Sequence, residues 1–143
     1  MLFKKISRSS AEVVKIVVKN VSGSTMAAND AVVFDVGAST DGVRVSQADT
    51  ADLSAFAGVV DADIADGEYG LVQAYGYRAS VNIYNSSTVS GVSGAVLGTF
   101  NSQWGLQPAA SATTTGGFGF LCETVASSAG AYTTFAKAFI RAL

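Results

Sequence analysis

Apolar and polar residues alternate along much of the chain, which is the pattern of strands with one buried side. Val14, Ile16 and Val18 alternate with Lys15 and Lys19, so residues 12–21 are predicted to form a half-buried strand. Its lysine side faces either water or an acidic partner. Further apolar segments predict strands at residues 31–36, 42–46, 57–60, 95–100, 118–125 and 132–142.

The longest alternating segment follows an acidic turn. Asp66-Gly67 favours a hairpin, because this dipeptide tolerates the positive φ angles of tight turns. After the turn, the odd-numbered residues include the large apolar ones, and the even-numbered residues are mostly small or polar. This period of two predicts a long strand over residues 69–83, or two strands broken at Gly76. We predict that the side of the strand that packs in the core is the odd-numbered one, which carries Leu71, Tyr75, Tyr77, Val81 and Ile83.

The segment from residue 101 to 117 lacks apolar periodicity. It is rich in Ser, Thr, Ala and Gly and contains Trp104 and the only proline, Pro108. A segment of this length and composition indicates either a functional loop or a flexible arm that a partner orders. The predicted organisation is therefore an N-terminal arm at residues 1–11 and a single β domain at residues 12–143, which includes this long Ser/Thr/Gly-rich loop.

Composition points to association with another protein. Of the 143 residues, 49% are hydrophobic and only 14% are charged, against about a quarter charged in ordinary domains. The net charge is −2, and only Lys4, Lys5 and Arg8 cluster, so no nucleic acid partner is expected. No apolar run reaches the length of a membrane span or a secretory signal, so we expect no membrane partner and a protein that is soluble or part of a soluble particle.

The residue types that most catalytic sites use are missing. The chain has no histidine and one cysteine, which excludes Ser-His-Asp and Cys-His arrangements. Cys122 is predicted to be a buried, inert thiol made in a reducing cytoplasm. The acidic turn does not match a calcium loop, because Ala65 stands where an EF-hand has its third oxygen ligand. We therefore predict no catalytic residues, no metal site and no cofactor.

The turn and its flanking strands also resemble a known family. The motif consists of Ala57-Gly58-Val59-Val60, Gly67-Glu68-Tyr69, Val72-Gln73 and Gly76. It is similar to a motif in small capsid decoration, or cement, proteins of tailed bacteriophages, including head-fibre-like proteins. The resemblance covers residues 14–83. It implies a non-enzymatic all-β domain, a small β-barrel or β-tulip, that binds the outside of an assembled capsid as a trimer at local threefold positions.

The resulting prediction is a virion structural protein that decorates and stabilises the phage head. Its expected partners are the major capsid protein and two further copies of itself, and it would be made in the host bacterial cytoplasm and reside on the capsid surface. The alternatives are a head-fibre or tail component, or a carbohydrate-binding β module that uses Trp104 and exposed tyrosines. The predicted interface residues are Leu2, Phe3, Lys4 and Lys5 in the arm, with Trp104 as a second contact.

Overall fold

The alternating segments become strands in the computed structural model, which describes residues 12–37, 41–86, 91–108, 117–126 and 130–142. The strands are β1 (Val14–Asn20), β2 (Ala31–Phe34), β3 (Arg44–Ser46), β4 (Phe56–Val60), β5 (Tyr69–Asn85), β6 (Val96–Gly98), β7 (Gln107–Pro108), β8 (Gly119–Leu121) and β9 (Tyr132–Arg141). No helix occurs among these residues, and thus none that could cross a membrane. The prediction of an all-β fold is confirmed.

The nine strands form one sheet, part of which closes on itself. Their order is β1-β3-β2-β4-β5-β9-β8-β6-β7, and an additional pairing of β1 with β5 completes a ring of five strands. Strands β9, β8, β6 and β7 extend the sheet beyond the ring. The pairing of β1 with β3 is parallel, whereas the other pairings between these strands are antiparallel.

Strand β5 connects the ring to the extension. Its first half pairs with β1 and β4, and from Tyr75 onward it pairs with β9. The approach of β4 to β5 depends on Gly58, which has a φ of +149°. A Cβ atom at this position would lie 2.5 Å from the backbone oxygen of Gln73, so a larger residue would push the two strands apart.

A β-bulge reverses the buried side of β5. Between Arg78 and Val81 the strand has one more residue than its partner β9. Before the bulge, the even-numbered residues such as Val72 are buried and Tyr77 is exposed, whereas after it the odd-numbered Ile83 is buried. The prediction that the odd-numbered residues face the core along the whole strand is therefore wrong before the bulge. One extra residue in a strand moves the side chains that follow it to the other side.

The bulge is held by the side chain of Arg78, which is only 11% exposed. Its Nη2 donates to the backbone carbonyl of Val60 at 2.7 Å and to Oδ1 of Asn29 at 2.9 Å. Its Nε donates to the carbonyl of Ser80 at 3.0 Å, and its Nη1 lies 3.3 Å from Oδ1 of Asp61. The guanidinium thus connects the bulge to the end of β4 and to the turn before β2.

The core has two parts. Inside the ring lie Val18, Met26, Val32, Val45, Ala57, Val60, Ile64 and Val72. Between the second half of β5 and the extension lie Val81, Ile83, Leu97, Leu106, Leu121 and Ile140, with their neighbours. Residues 101–108 of the predicted long loop belong to this packing, because Leu106 is fully buried and β7 pairs with β6. Residues 109–116, and the predicted arm at residues 1–11, lie outside the described residues.

Candidate interaction surface

The structure does not bring the predicted interface residues together. Leu2, Phe3, Lys4 and Lys5 lie outside the described residues, so their role stays a prediction. Trp104 is half-buried and packs against the core inside the ring. Its backbone oxygen accepts a hydrogen bond of 2.7 Å from the amide of Ala31. Trp104 therefore contributes to the packing of its own chain, and its predicted contact with a partner remains untested.

A different surface has the composition of an interface. The sides of β5, β9 and β8 that point away from the core carry an apolar surface that we call the aromatic face, consisting of Tyr75, Tyr77, Phe120, Phe135 and Phe139. Three of the ten large hydrophobic residues that are exposed in the described part of the chain belong to it. Three more, Val17, Tyr69 and Leu71, are exposed on the other side of the sheet, at β1 and the start of β5.

Strand register makes this surface continuous across three strands. Tyr77 lies opposite Phe139 across β5 and β9, and Phe139 lies opposite Phe120 across β9 and β8. Residues directly opposite in neighbouring strands point to the same side of a sheet. The face ends toward the ring, because β5 has one residue more than β1 between Gln73 and Tyr75, and this exchanges the two sides of the strand.

Ring contacts order the aromatic side chains. Phe120 and Phe139 stack with centroids 5.3 Å apart and planes inclined by 7°. Tyr75 meets the other side of this pair edge-on, with its centroid 5.2 Å from that of Phe139. Such arrangements stabilise aromatic pairs, and they fix the rings before any partner arrives. A partner would therefore meet a preformed surface, at a low cost in side-chain entropy.

The charged residues of the aromatic face are all cations. Strands β5, β8 and β9 contain no Asp or Glu, and Lys137 and Arg141 share the side of β9 that carries Phe135 and Phe139. Lys15 and Lys19 of β1 are on the other side of the sheet, with Val17. The acidic residues in the described part of the chain all lie outside strands. The ammonium group of Lys19 lies 5.6 Å above the ring of Tyr69, within the range of a cation–π contact.

Two of the four strand cations, one on each side of the sheet, are neutralised by nearby acids. Lys15 Nζ lies 2.7 Å from Asp61 Oδ2, and this hydrogen bond, with help from Arg78, lowers the pKa of Asp61. Lys137 Nζ lies 3.2 Å from Glu123 Oε2, and its backbone amide and side chain lower the pKa of Glu123. Both carboxylates therefore stay ionised near neutral pH. Lys19 and Arg141 have no carboxylate partner among the described residues.

The comparisons with known proteins concern the fold. No protein-family model matches the chain, and no curated protein is similar to it. Solved structures are similar to the chain. One of them is the crystal structure of the head fibre gp8.5 N base in bacteriophage phi29, with a TM-score of 0.51 and 17% sequence identity. The similarity covers 92% of this chain and 96% of that chain. At this identity the similarity shows that the two chains share a fold.

The acidic turn serves the fold. Asp63 Oδ1 accepts the amide of Ala28 at 2.8 Å, and Asp66 Oδ1 accepts the amide of Gly23 at 2.9 Å. These contacts fasten the turn to the segment between β1 and β2. Nowhere in the described ranges do three His, Cys, Asp or Glu side chains approach closely enough to hold a metal ion. Burial and the neighbouring Glu123 raise the pKa of the Cys122 thiol, which keeps it protonated and weakly nucleophilic.

A groove of about 470 Å³ lies on another part of the surface. Thr50, Leu53, Ser54, Thr99, Phe100 and Gln107 are among the residues that line it, and none of its lining residues is charged. Phe100 stacks on Tyr84 with centroids 5.2 Å apart and is 37% exposed. The groove thus offers an immobilised aromatic ring beside hydroxyl and amide groups, which suits an uncharged polar ligand.

Proposed function

We propose that the chain is a structural component of a bacteriophage particle that binds the outside of the assembled head and stabilises it as a decoration protein. The observation that carries this proposal is the shared fold with the phi29 head fibre base, which extends over almost the full length of both chains. The resemblance of residues 57–76 to decoration proteins is an independent reason, because it comes from the sequence pattern alone.

The physical character of the chain supports a role in assembly. Its low charge content and its exposed aromatic face favour contacts with other proteins. A lattice offers each copy the same site many times, so weak individual contacts can together hold a shell against internal pressure. We propose the major capsid protein as the partner and a homotrimer as the bound state, because a threefold lattice position presents three equivalent sites.

Binding to shells tests the proposal. Empty, expanded shells are purified from the phage that encodes the chain, grown without this protein, and mixed with the purified chain over a range of concentrations. We expect saturable co-sedimentation and a higher temperature of shell disruption. A chain that stays in the supernatant at every concentration, or that leaves the disruption temperature unchanged, would contradict a decorating role. The mass of the free protein measured by light scattering tests the trimer separately.

The predicted arm is tested in the same assay. Deleting residues 1–8 removes Leu2, Phe3, Lys4 and Lys5 and leaves every described strand intact. We expect weaker shell binding and a thermal unfolding temperature close to that of the full chain. A collapse of folding would instead place the segment in the core. Unchanged shell binding would remove these four residues from the interface.

A second candidate function is saccharide binding in the groove beside Phe100. The ring stacked on Tyr84 could pack against the apolar side of a sugar, and the uncharged lining favours a neutral one. A glycan array probed with the parent chain and with Phe100→Ala tests this alternative. Binding that depends on Phe100, together with no binding to shells, would favour it over decoration. A head-fibre or tail position would be recognised by locating the chain in intact particles.

A further inference from the structure

We propose that the outer edge of β9 at residues 133–135 is a docking site, at which an extended, uncharged segment of a partner protein adds a strand to the sheet. The identification of that partner as the shell protein rests on the proposed function. Three observations support the inference: the unpaired backbone groups of this edge, the groove that runs beside it, and the lack of free charge around it.

The outer edge of β9 is paired over only part of its length. Strand β8 pairs with residues 138–140 of β9, and the carbonyl of Lys137 accepts the amide of Cys122 on the same edge at 2.8 Å. Strand β9 is regular, because the extra residue lies in β5. Its backbone groups therefore point alternately to its two edges, so the N–H and C=O groups of Thr133 and Phe135 also point to the outer edge. They have no partner in the described part of the chain.

The side chain of Glu123 marks the end of the paired part. Its Oε1 accepts the amide of Lys137 at 2.7 Å, and its Oε2 lies 3.2 Å from Lys137 Nζ. The carboxylate thus takes the place of a further strand residue and is neutralised there. The chain then leaves the edge of β9, because Val125 pairs with Gly91 instead. Within the described ranges, the edge is therefore open on the N-terminal side of Lys137.

The open edge lacks the features that protect a free edge. Native sheets protect their edges with lysine, proline, bulges or very short strands. The other end of this sheet is protected in this way, since β7 has two residues and one of them is Pro108, which has no N–H group. Residues 132–136 instead have the sequence YTTFA, with no charge and no proline. Such β-branched and aromatic residues favour strand pairing, so this edge has the composition of one that receives a further strand.

A groove of about 240 Å³ runs beside the open edge. Val125, Tyr132, Thr134 and Ala136 are among the residues that line it. Successive side chains of a strand point to opposite sides of the sheet. A strand added to β9 would consequently place the side chain opposite Thr134 in the groove and the neighbouring side chains beside Phe135, which is 60% exposed. The site therefore fits an extended segment whose central side chain is apolar.

The hydrogen-bonding groups identify the occupant as polypeptide. Thr133 and Phe135 present N–H and C=O groups at strand spacing, and an extended chain satisfies them through its own backbone when it adds to a sheet edge. Among the described residues that line the groove, only Glu123 is charged, and Lys137 neutralises it. A charged side chain would lose hydration in the groove without gaining an opposite charge. The segment is therefore expected to be uncharged.

Two occupants from the chain itself fit less well. The predicted arm at residues 1–11 contains three cations, for which the groove has no unpaired carboxylate among its described residues. A second copy would pair its own β9 with this edge around a twofold axis at Thr134. That register places residue 131 of the second copy opposite Lys137, whose amide Glu123 already binds. A short segment of a different protein avoids this collision.

Shell binding by two matched variants at one position tests the inference. Thr133→Pro removes an N–H group that has no partner within the described chain, and it places a ring in the path of an added strand. Thr133→Val keeps the N–H group and nearly the same side-chain shape. Thermal unfolding of both variants is compared with that of the parent first, and co-sedimentation with empty, expanded shells is then measured over a range of concentrations.

We expect Thr133→Pro to bind shells at least about tenfold more weakly than Thr133→Val, because the proline loses a hydrogen bond to the added strand and its ring collides with that strand. Thr133→Val should bind within about twofold of the parent, since its backbone is unchanged. Both variants should fold, because the N–H group of residue 133 points away from β5 and an edge strand tolerates proline at such a position.

Hydrogen exchange in the unmodified chain provides a second measurement, which does not depend on the folding of a variant. The amides of Thr133 and Phe135 should exchange rapidly in the free protein and at least about tenfold more slowly on shells. The amide of Thr134 is the internal reference, because residue 134 pairs with Ile83 of β5 and should exchange slowly in both states.

The two measurements separate this inference from the proposed function. If the parent binds shells but Thr133→Pro binds as well as Thr133→Val, or the amides of residues 133 and 135 exchange equally fast in the bound state, the inference is overturned and the decorating role stands. If Thr133→Pro does not fold, the exchange result decides alone. Protection of these amides in the free protein would show that the chain itself, or at high concentration a second copy, covers the edge, which also overturns the inference. If the parent does not bind shells, the proposed function fails and this inference fails with it.

Discussion

Replacing Arg78 with methionine should be among the most destabilising substitutions outside the apolar core. Methionine keeps most of the aliphatic stem and removes the guanidinium that holds the bulge of β5. The backbone oxygen of Val60 and the side-chain oxygen of Asn29 then lose donors at 2.7 and 2.9 Å. The carbonyl of Ser80 loses its donor at 3.0 Å.

The expected loss in the free energy of unfolding follows from these contacts. Hydrogen bonds to a charged group contribute about 1.5–3 kcal/mol each, and removing one partner of a buried ion pair costs about 3–5 kcal/mol. Asp61 limits the loss, because its side chain is 32% exposed and keeps its ion pair with Lys15. We therefore expect Arg78→Met to lower the free energy of unfolding by about 3 kcal/mol, a large part of the 5–15 kcal/mol typical of a domain.

Urea denaturation followed by the fluorescence of Trp104 measures this loss, since the only tryptophan packs against the core. Arg44→Met is the matched control, because Arg44 forms an exposed ion pair with Asp41 and such pairs contribute about 0–1 kcal/mol. A loss below about 1 kcal/mol for Arg78→Met, or one equal to that of the control, would refute the claim that the guanidinium holds the bulge.

Three further predictions concern single positions. Gly58→Ala should lower the free energy of unfolding by about 2–4 kcal/mol in the same assay, because the new Cβ meets the oxygen of Gln73 at a φ of +149°; a loss under about 0.5 kcal/mol would contradict the close approach of β4 and β5. Asp61 has a lowered pKa because of Lys15 and Arg78, so its contribution to stability is present above its ordinary pKa of about 4 and is lost as the pH falls through the lowered value. The urea midpoint of Asp61→Asn should accordingly fall less than that of the parent between about pH 5 and pH 2, and an equal fall in both proteins would refute this. Cys122 should react with iodoacetamide at least about fivefold more slowly in the native protein than in urea at pH 8, since burial raises its pKa; equal rates would contradict this account.

The strands could be predicted from the sequence because the alternation that specifies them is local. In residues 12–21, Val14, Ile16 and Val18 alternate with Lys15 and Lys19, and the strand there buries Val18 on the expected side. Residues 132–142 contain the predicted strand, β9. A hairpin with its turn at Asp66-Gly67 was also predicted: the flanking strands β4 and β5 pair antiparallel, and Gly67, though not Asp66, has a positive φ. These features depend on neighbours within a few residues, so the sequence pattern alone specifies them.

The buried side of β5 could not be predicted in the same way. Alternation defines two sides of a strand, but which one is buried depends on the strands that pack over it. In the first half of β5 the interior of the ring receives Val72, so Leu71 points outward. The side that is buried then depends on two irregularities of the strand, one in its register with β1 between Gln73 and Tyr75 and one in its register with β9 between Arg78 and Val81. Both are properties of strand pairing, which the sequence of β5 alone does not specify.

The aromatic face was missed for the same reason, although the sequence contained a signal. The segments that became β1, β5 and β9 contain lysine or arginine but no Asp or Glu, while acids are frequent in the connections between strands. This separation of charge was visible without a structure. Assigning the aromatic residues to one surface required the register that places Tyr77 opposite Phe139 and Phe139 opposite Phe120.

The location of the chain in the particle is the most direct test of the account. Electron cryomicroscopy reconstructions of phage heads with and without the protein should differ by density on the outer capsid surface. That density should fit the nine-stranded fold. Identical reconstructions would contradict a structural role on the head.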